Sequence, residues 1–135
     1  MQGTNSLRAL ILGCLVAAPL AHAAVVETPM DFVAAKAAAD ADEASQEDTA
    51  RTVALEQQSA FLDAGVSACA DARSTARLEA FVIVVELDAT GHVVRTWRRG
   101  DSPLALCIER QARGKRMFVP PRAPFHASLE VSFTP

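Results

Sequence analysis

The sequence predicts an α+β domain in which N-terminal helices precede a three-stranded sheet with one packed helix. Ala80–Leu87 is rich in β-branched and aromatic residues, and the turn residues Asp88–Gly91 follow it, which predicts a strand that ends in a tight turn. Ser102 and Pro103 are residue types that favour the N-cap and the first position of a helix. The C-terminal half is therefore predicted to run strand, strand, helix, strand.

Two further strands complete the predicted sheet. His92–Arg98 is predicted as the second strand. Its alternation places Val93 and Trp97 on one face and Val94 on the other. The last strand is predicted over Ala127–Phe133, where apolar residues alternate with polar ones. Because a helix crosses between the second and third strands, these two run parallel and the first lies between them, antiparallel to its neighbours. The last strand is then an edge with one solvent-facing side.

The helix that crosses between those strands has one apolar face. Leu104, Cys107 and Ile108 recur at helical spacing, so this face is expected to pack on the sheet. Gly114 is predicted to end the helix, and the basic residues before it suit the negative end of the helix dipole.

An acidic, alanine-rich segment precedes the sheet. Residues 24–72 hold ten acidic and two basic residues, whereas residues 73–135 hold six acidic and ten basic ones. This shift divides the mature chain into a helical segment, 24–72, and a C-terminal domain, 73–135. Large apolar side chains are rare in the alanine-rich part, so it is expected to be a loosely docked or partly disordered helix that acts as a spacer.

Two helices are predicted within this acidic segment. Thr28 is predicted as the N-cap of the first, with Pro29 and Asp31 in its first turn. That helix is expected to continue to about Ala44, and the second is predicted over Thr49–Asp71. The residues predicted to form the apolar face of the second helix are Leu55, Leu62, Val66 and Cys69, with Phe61 beside them.

Residues 1–23 have the three-part layout of a secretory signal peptide. A positively charged start is followed by the apolar run Leu7–Ala18, and small residues flank a cleavage site between Ala23 and Ala24. The alternatives are an uncleaved membrane anchor and a lipid-modified Cys14. Cleavage predicts a periplasmic or secreted protein.

Removal of that segment would leave two cysteines, Cys69 and Cys107, in an oxidising compartment. An even pair there favours a disulfide. Since the chain has no Cys-x-x-Cys motif, we expect a structural bridge and not a redox-active one. A zinc site with His92 and His126 is not favoured, because these ligands lack the paired short spacings of zinc sites.

None of the common catalytic motifs occurs in the chain, such as Gly-x-Ser-x-Gly, His-Glu-x-x-His or a phosphate-binding glycine loop. His92 and His126 are expected to face solvent. A formal net charge of -3 does not favour general nucleic-acid binding. We therefore expect a non-enzymatic protein without a cofactor, a metal or a small-molecule substrate.

Four short motifs of the C-terminal half occur in a recognisable order. They are Phe81–Val85 followed by Gly91-His92-Val93, Ser102 at the start of a helix, Phe118–Pro121, and the closing Val131–Pro135. With them, Cys69–Pro135 resembles the periplasmic C-terminal domain of TonB-type energy transducers, in which several relatives carry cysteines where Cys69 and Cys107 stand. The resemblance implies a protein-interaction domain whose sheet accepts an extended partner segment, although this chain lacks a proline-rich spacer.

The edges of the predicted sheet and the basic residues near them are the candidate interaction site. Edge strands bind extended peptides through free backbone groups, and the edges here are His92–Arg98 and Ala127–Phe133. The side chains predicted to contact a partner at the edge or on the basic face are Arg95, Trp97, Arg98, Arg99, Arg113 and Arg116. The partner is expected to be an unidentified envelope protein, and a membrane only if the N-terminal segment is uncleaved.

The charge pattern leaves alternatives open. Short, charged edges are also typical of strands protected from pairing, and the basic residues can be solvated or neutralised by the acidic helical segment. The protein would then be an envelope-associated structural or accessory protein that uses its acidic helix and basic face without peptide binding.

Overall fold

A computed structural model describes residues 29–134, which form four helices and a three-stranded sheet. The elements in chain order are α1 (Phe32–Ala44), α2 (Asp48–Cys69), α3 (Ala72–Thr75), β1 (Phe81–Leu87), β2 (Val93–Arg99), α4 (Pro103–Ala112) and β3 (Phe125–Val131). The predicted signal peptide, its cleavage site between Ala23 and Ala24, and Thr28 lie outside the described residues. Within residues 29–134, no helix combines the length and the apolar character needed to cross a membrane.

The sheet has the predicted arrangement, with β1 in the centre. The strand order is β2-β1-β3, and both neighbours run antiparallel to β1. Val84 illustrates the register, because it lies opposite Trp97 of β2 and opposite Ser128 of β3. β3 begins at Phe125, two residues earlier than predicted, and Phe133 lies beyond its end. The mixed α+β class predicted from the sequence is therefore confirmed.

A β-bulge near the start of β2 interrupts its alternation. The register with β1 shifts between Val93 and Arg95, which leaves Val94 as the extra residue. Val93 therefore belongs to the core under α4, whereas Trp97 faces α1. The prediction that these two side chains share a face is wrong, because one inserted residue reverses a period of two.

The main core lies between one face of the sheet and the helices α4 and α2. Ser102 is the N-cap of α4, and its side chain accepts a hydrogen bond from the Ala105 N–H at 3.2 Å. Leu104 and Ile108 of α4 are buried against the sheet, and Cys107 packs at the edge of the same core. The predicted start and apolar face of this helix are confirmed.

The buried face of α2 differs from the predicted apolar face at Leu55. Leu55 is 56% exposed, although it was expected on the apolar face. The buried residues of the helix are Ala54, Gln58, Gly65 and Cys69. Phe61, Leu62 and Val66 are partly buried against the same core, so Leu55 is the residue of the predicted apolar face that turns away from it.

The opposite face of the sheet is covered by α1. Ala35 and Ala39 are fully buried against Val84, and the indole N–H of Trp97 donates to the Met30 carbonyl at 2.8 Å. The expectation of a loosely docked spacer is wrong. The face of β3 that was expected to meet solvent is covered at His126 and Ser128, whereas Glu130 on the same face is exposed. Alanine allows the helix to pack closely without large apolar side chains.

The first turn of α1 also differs from the prediction. The helix begins at Phe32, and Asp31 is its N-cap and not a first-turn residue. The Asp31 carboxylate accepts a hydrogen bond from the Ala34 N–H at 2.8 Å. This bond satisfies one of the backbone donors that every helix start leaves free, which explains why the helix begins there.

Candidate functional site

Among the residues that the structure describes, contacts cover the outer edge of β2 only at its beginning. There the Val93 N–H donates to the Lys115 carbonyl at 2.9 Å and the Gly114 N–H donates to the Val93 carbonyl at 3.1 Å. His92 makes a single bridge with Arg116 just before the strand. Within residues 29–134, no strand pairs with the outer side of Arg95–Arg99. This run is the free edge of the sheet.

The other edge, on β3, is occupied by carboxylates of α1. The His126 N–H donates to Asp42 Oδ2 and the Ser128 N–H donates to Glu43 Oε1, both at 2.7 Å. These are backbone donors that an added strand would need. A peptide could therefore add along this part of β3 only after α1 has moved. Of the two edges expected from the sequence, β2 is the accessible one.

At that edge, the surroundings of Glu43 disfavour the ionised form of its carboxyl. Burial is the main reason that the pKa of its carboxyl lies above the usual range, and the hydrogen bond from Ser128 only partly opposes this effect. One of the two carboxylates of α1 that cover the edge of β3 is therefore ionised only at a cost in free energy.

Arg95 and Trp97 lie on the face of β2 that α1 covers. Arg95 forms an ion pair with Glu86 at 2.9 Å, and its guanidinium carbon lies 5.4 Å from the centre of the Trp97 ring. Trp97 is half-buried and holds the start of α1 through Met30. This tryptophan therefore anchors a helix, and its indole N–H already has a partner.

Arg98 and Arg113 converge on Glu109, on the other face. Their nitrogens lie 2.9 Å and 3.1 Å from the Glu109 carboxylate, and Thr96 donates to the same carboxylate at 2.9 Å. Burial raises the pKa of Glu109, but the hydrogen bonds from these three residues outweigh it and the pKa lies below its usual range. The two arginines are thus paired with a residue of α4, and Arg98 also with Asp101, and not with the acidic helical segment.

Arg99 and Arg116 are the two predicted site residues without a carboxylate partner in the described part of the chain. The Arg99 guanidinium lies over the Phe32 ring, 4.9 Å from its centre, and Arg116 donates to the Thr90 carbonyl at 3.1 Å. They lie near opposite ends of β2, roughly 23 Å apart for a strand that rises about 3.3 Å per residue. Both guanidinium groups can accept an anionic partner.

His126 lies in a buried polar cluster and not in solvent, so that prediction is wrong. Its Nδ1 is 3.1 Å from Asp42 Oδ2, and its Nε2 is 3.5 Å from Glu86 Oε2. Arg122 also forms an ion pair with Asp42, which joins a basic residue of the C-terminal half to the acidic segment. His92, by contrast, is exposed as expected. In residues 29–134, no group of three or more His, Cys, Asp or Glu side chains could hold a metal ion.

The predicted disulfide between Cys69 and Cys107 is present. The two Cα atoms are 5.9 Å apart, and the bond joins the last residue of α2 to the middle of α4. Such bonds form and persist in oxidising compartments, which agrees with an exported protein.

Comparison of the chain with models of known families, with curated proteins and with solved structures finds no match. The resemblance to the TonB C-terminal domain therefore stays a prediction from motifs. The structure itself shows a mixed α+β protein with a three-stranded antiparallel sheet, a disulfide and one open sheet edge.

Proposed function

We propose that this protein is a non-enzymatic interaction domain of the cell envelope that binds an extended partner segment along β2. The observation that carries the proposal is the open run Arg95–Arg99, in a sheet whose other edge is occupied by Asp42 and Glu43. A peptide that adds there gains main-chain hydrogen bonds which the strand leaves unused. The resemblance to TonB-type domains supports the same mode of binding.

The charges of β2 favour an acidic partner over a second copy of the chain. The strand contains three arginines and no acidic residue. Antiparallel pairing of β2 with itself would bring arginines near arginines, and like charges opposite each other are destabilising. A segment with carboxylates near both ends could instead pair with Arg99 and Arg116, whose guanidinium groups have no carboxylate partner among the described residues.

Export to the periplasm or the medium belongs to the same proposal. The disulfide and the signal-peptide layout of residues 1–23 both support an oxidising compartment outside the cytoplasm. An envelope protein with an exposed acidic, extended segment is then the partner class that this edge fits.

One experiment tests the edge directly in cells that produce the protein. A photo-cross-linking residue at Val94, which is 54% exposed at the bulge of β2, should capture a partner, whereas the same residue at Val33, 73% exposed on α1, should not. The double substitution Arg99→Glu and Arg116→Glu should abolish capture, because it repels a carboxylate-bearing segment. The matched control is Arg73→Glu, on α3, which should leave capture unchanged.

A second candidate function rests on the internal pairing of Arg95, Arg98 and Arg113. These arginines form ion pairs with the protein's own carboxylates, and charged edge residues of this kind prevent the addition of another strand. The protein would then be an envelope-associated structural or accessory protein. Equal cross-linking from Val94 and Val33, or none from Val94, would favour this function over capture of a peptide.

A further inference from the structure

His126 is buried between two carboxylates at the point where the last turn of α1 meets the sheet. The residue belongs to β3 and is only 6% exposed. Its Nδ1 lies 3.1 Å from the Asp42 carboxylate of α1, and its Nε2 lies 3.5 Å from the Glu86 carboxylate of β1. Among the described residues, Nε2 has no hydrogen-bond partner. The imidazole ring therefore connects α1 to the central strand.

The protonation state of this ring decides whether both contacts are favourable. A neutral imidazole carries a hydrogen on one nitrogen only, and the other nitrogen has a lone pair. In either neutral form a lone pair therefore faces a carboxylate, that of Asp42 in one form and that of Glu86 in the other. The protonated ring has a donor at each nitrogen and a positive charge between the two carboxylates. Since the ring is buried, the geometry favours the protonated form.

The other charged and titratable groups near the ring come from every element packed against it. They are Asp42 and Glu43 of α1, Glu86 of β1, Arg95 of β2, and Arg122 of the segment before β3. The two arginine side chains are more than half exposed, so solvent screens their charges more than that of the buried ring. Farther along the same interface, Lys36 and Glu130 pair with each other. Of these residue types, histidine is the one whose charge ordinarily changes between about pH 5 and pH 8.

Glu43 responds to pH in the same direction. Burial is the main cause that raises the pKa of its carboxyl, so the docked helix disfavours the ionised form. A raised pKa in the folded state gives stability that is complete below the usual value of 4.5 and is lost as the pH rises through the folded value. Protonation of either group therefore favours the docked helix.

We infer that His126 is a pH switch that holds the last turn of α1 on the edge of β3 while its ring is protonated. As the pH rises from about 5 to about 8, the ring loses a proton to solvent and the last turn of α1 leaves the sheet more often. Its departure uncovers the backbone N–H groups of His126 and Ser128, which otherwise donate to Asp42 and Glu43. The sheet then has a second accessible edge. This switch requires no partner at β2.

The amide protons of His126 and Ser128 report this release directly, because their acceptors are the carboxylates of α1. Hydrogen exchange followed by NMR, and corrected for the intrinsic effect of pH on exchange, should show their protection falling by about tenfold between about pH 5.5 and pH 8. The amide of Ile108, in α4 on the other face of the sheet, should keep its protection. Nitrogen shifts of the His126 ring in the same titration should show the loss of one ring proton.

A matched pair of substitutions separates this ring from the other groups. His126→Gln removes the titrating ring, so the protection of the Ser128 amide should no longer change between the two pH values. His92→Gln, at the exposed turn before β2, should leave the wild-type change intact.

Three results would overturn the inference. A change that persists in His126→Gln would assign the pH dependence to another group, such as Glu43. A parallel loss of protection at Ile108 would show unfolding of the whole domain and not release of α1. Equal protection of the wild type at both pH values would exclude the switch, and this comparison is decisive even if His126→Gln does not fold.

Discussion

Glu109 is the side chain on which the charge balance beside β2 depends. It is buried, and it accepts hydrogen bonds from Thr96, Arg98 and Arg113. Because burial opposes ionisation and the three donors favour it, the lowered pKa of the carboxyl shows that the donors prevail. The sequence did not indicate that Glu109 is buried, since a glutamate within an amphipathic helix is most often a solvent-exposed residue.

Substitution Glu109→Gln should lower the free energy of unfolding by about 1–3 kcal/mol near neutral pH, because charged donors lose a charged acceptor. The pKa of the folded carboxyl lies below its usual value of 4.5, so its contribution is complete above that value and is lost as the pH falls through the folded pKa. Urea unfolding between about pH 7 and pH 3 should show the difference from wild type shrinking with acid.

The control for this prediction is Glu56→Gln, an exposed position on α2, which should unfold like the wild type throughout. A difference for Glu109→Gln that stays constant over the whole pH range would contradict the electrostatic account, because a purely steric loss does not titrate.

At the scale of elements, α1 has the largest effect on what the sheet exposes. Its small residues allow close packing on one face, and its last turn places Asp42 and Glu43 over the backbone of β3. A helix with few large apolar side chains thus covers a face and blocks an edge. The amino-acid composition does not predict this packing, because the composition of an alanine-rich helix is the same whether or not the helix packs against a surface.

Ala39→Leu should destabilise the protein by about 1–3 kcal/mol, because a larger side chain does not fit at a fully buried position. The fluorescence of Trp97, the chain's one tryptophan, should report weaker docking of α1, since its indole binds the Met30 carbonyl. Ala37→Leu, at an exposed position on the same helix, is the matched control. Equal stabilities of the two variants would show that α1 is not held by this contact.

At the scale of the whole molecule, the disulfide links the helical segment to the sheet domain. Cys69 and Cys107 are separated by 38 residues in the sequence. The expected division at residue 73 stays a prediction, although α1 and α2 share cores with β1 and α4 on the two faces of the sheet. The bridge reinforces this arrangement on the α2 side only.

Replacement of both cysteines by alanine should lower the free energy of unfolding by about 4 kcal/mol, the value of the chain-entropy model for a loop of this length. This is a large share of the roughly 5–15 kcal/mol of a typical domain. Wild type unfolded in reductant serves as the control and should match the double variant. A loss below about 1 kcal/mol would mean that packing of α2 on α4 suffices without the bond.

Local patterns were sufficient for part of the fold. The strand run Ala80–Leu87 and the Ser102-Pro103 helix start were both found from residue type, because turn and cap chemistry act within a few residues. The bulge at Val94 and the exposure of Leu55 were missed, since each depends on the neighbour against which the element packs.

By itself, the sequence determined the α+β class, the central position of β1, and the pairing of Cys69 with Cys107. These follow from local propensity, from the rules of chain connection and from cysteine count. Only the tertiary structure decided that α1 closes the β3 edge, that Glu109 holds two of the arginines, and that β2 stays open. Those features arise from contacts between residues that are far apart in the sequence, and the order of residues along the chain does not show which of them lie close together in space.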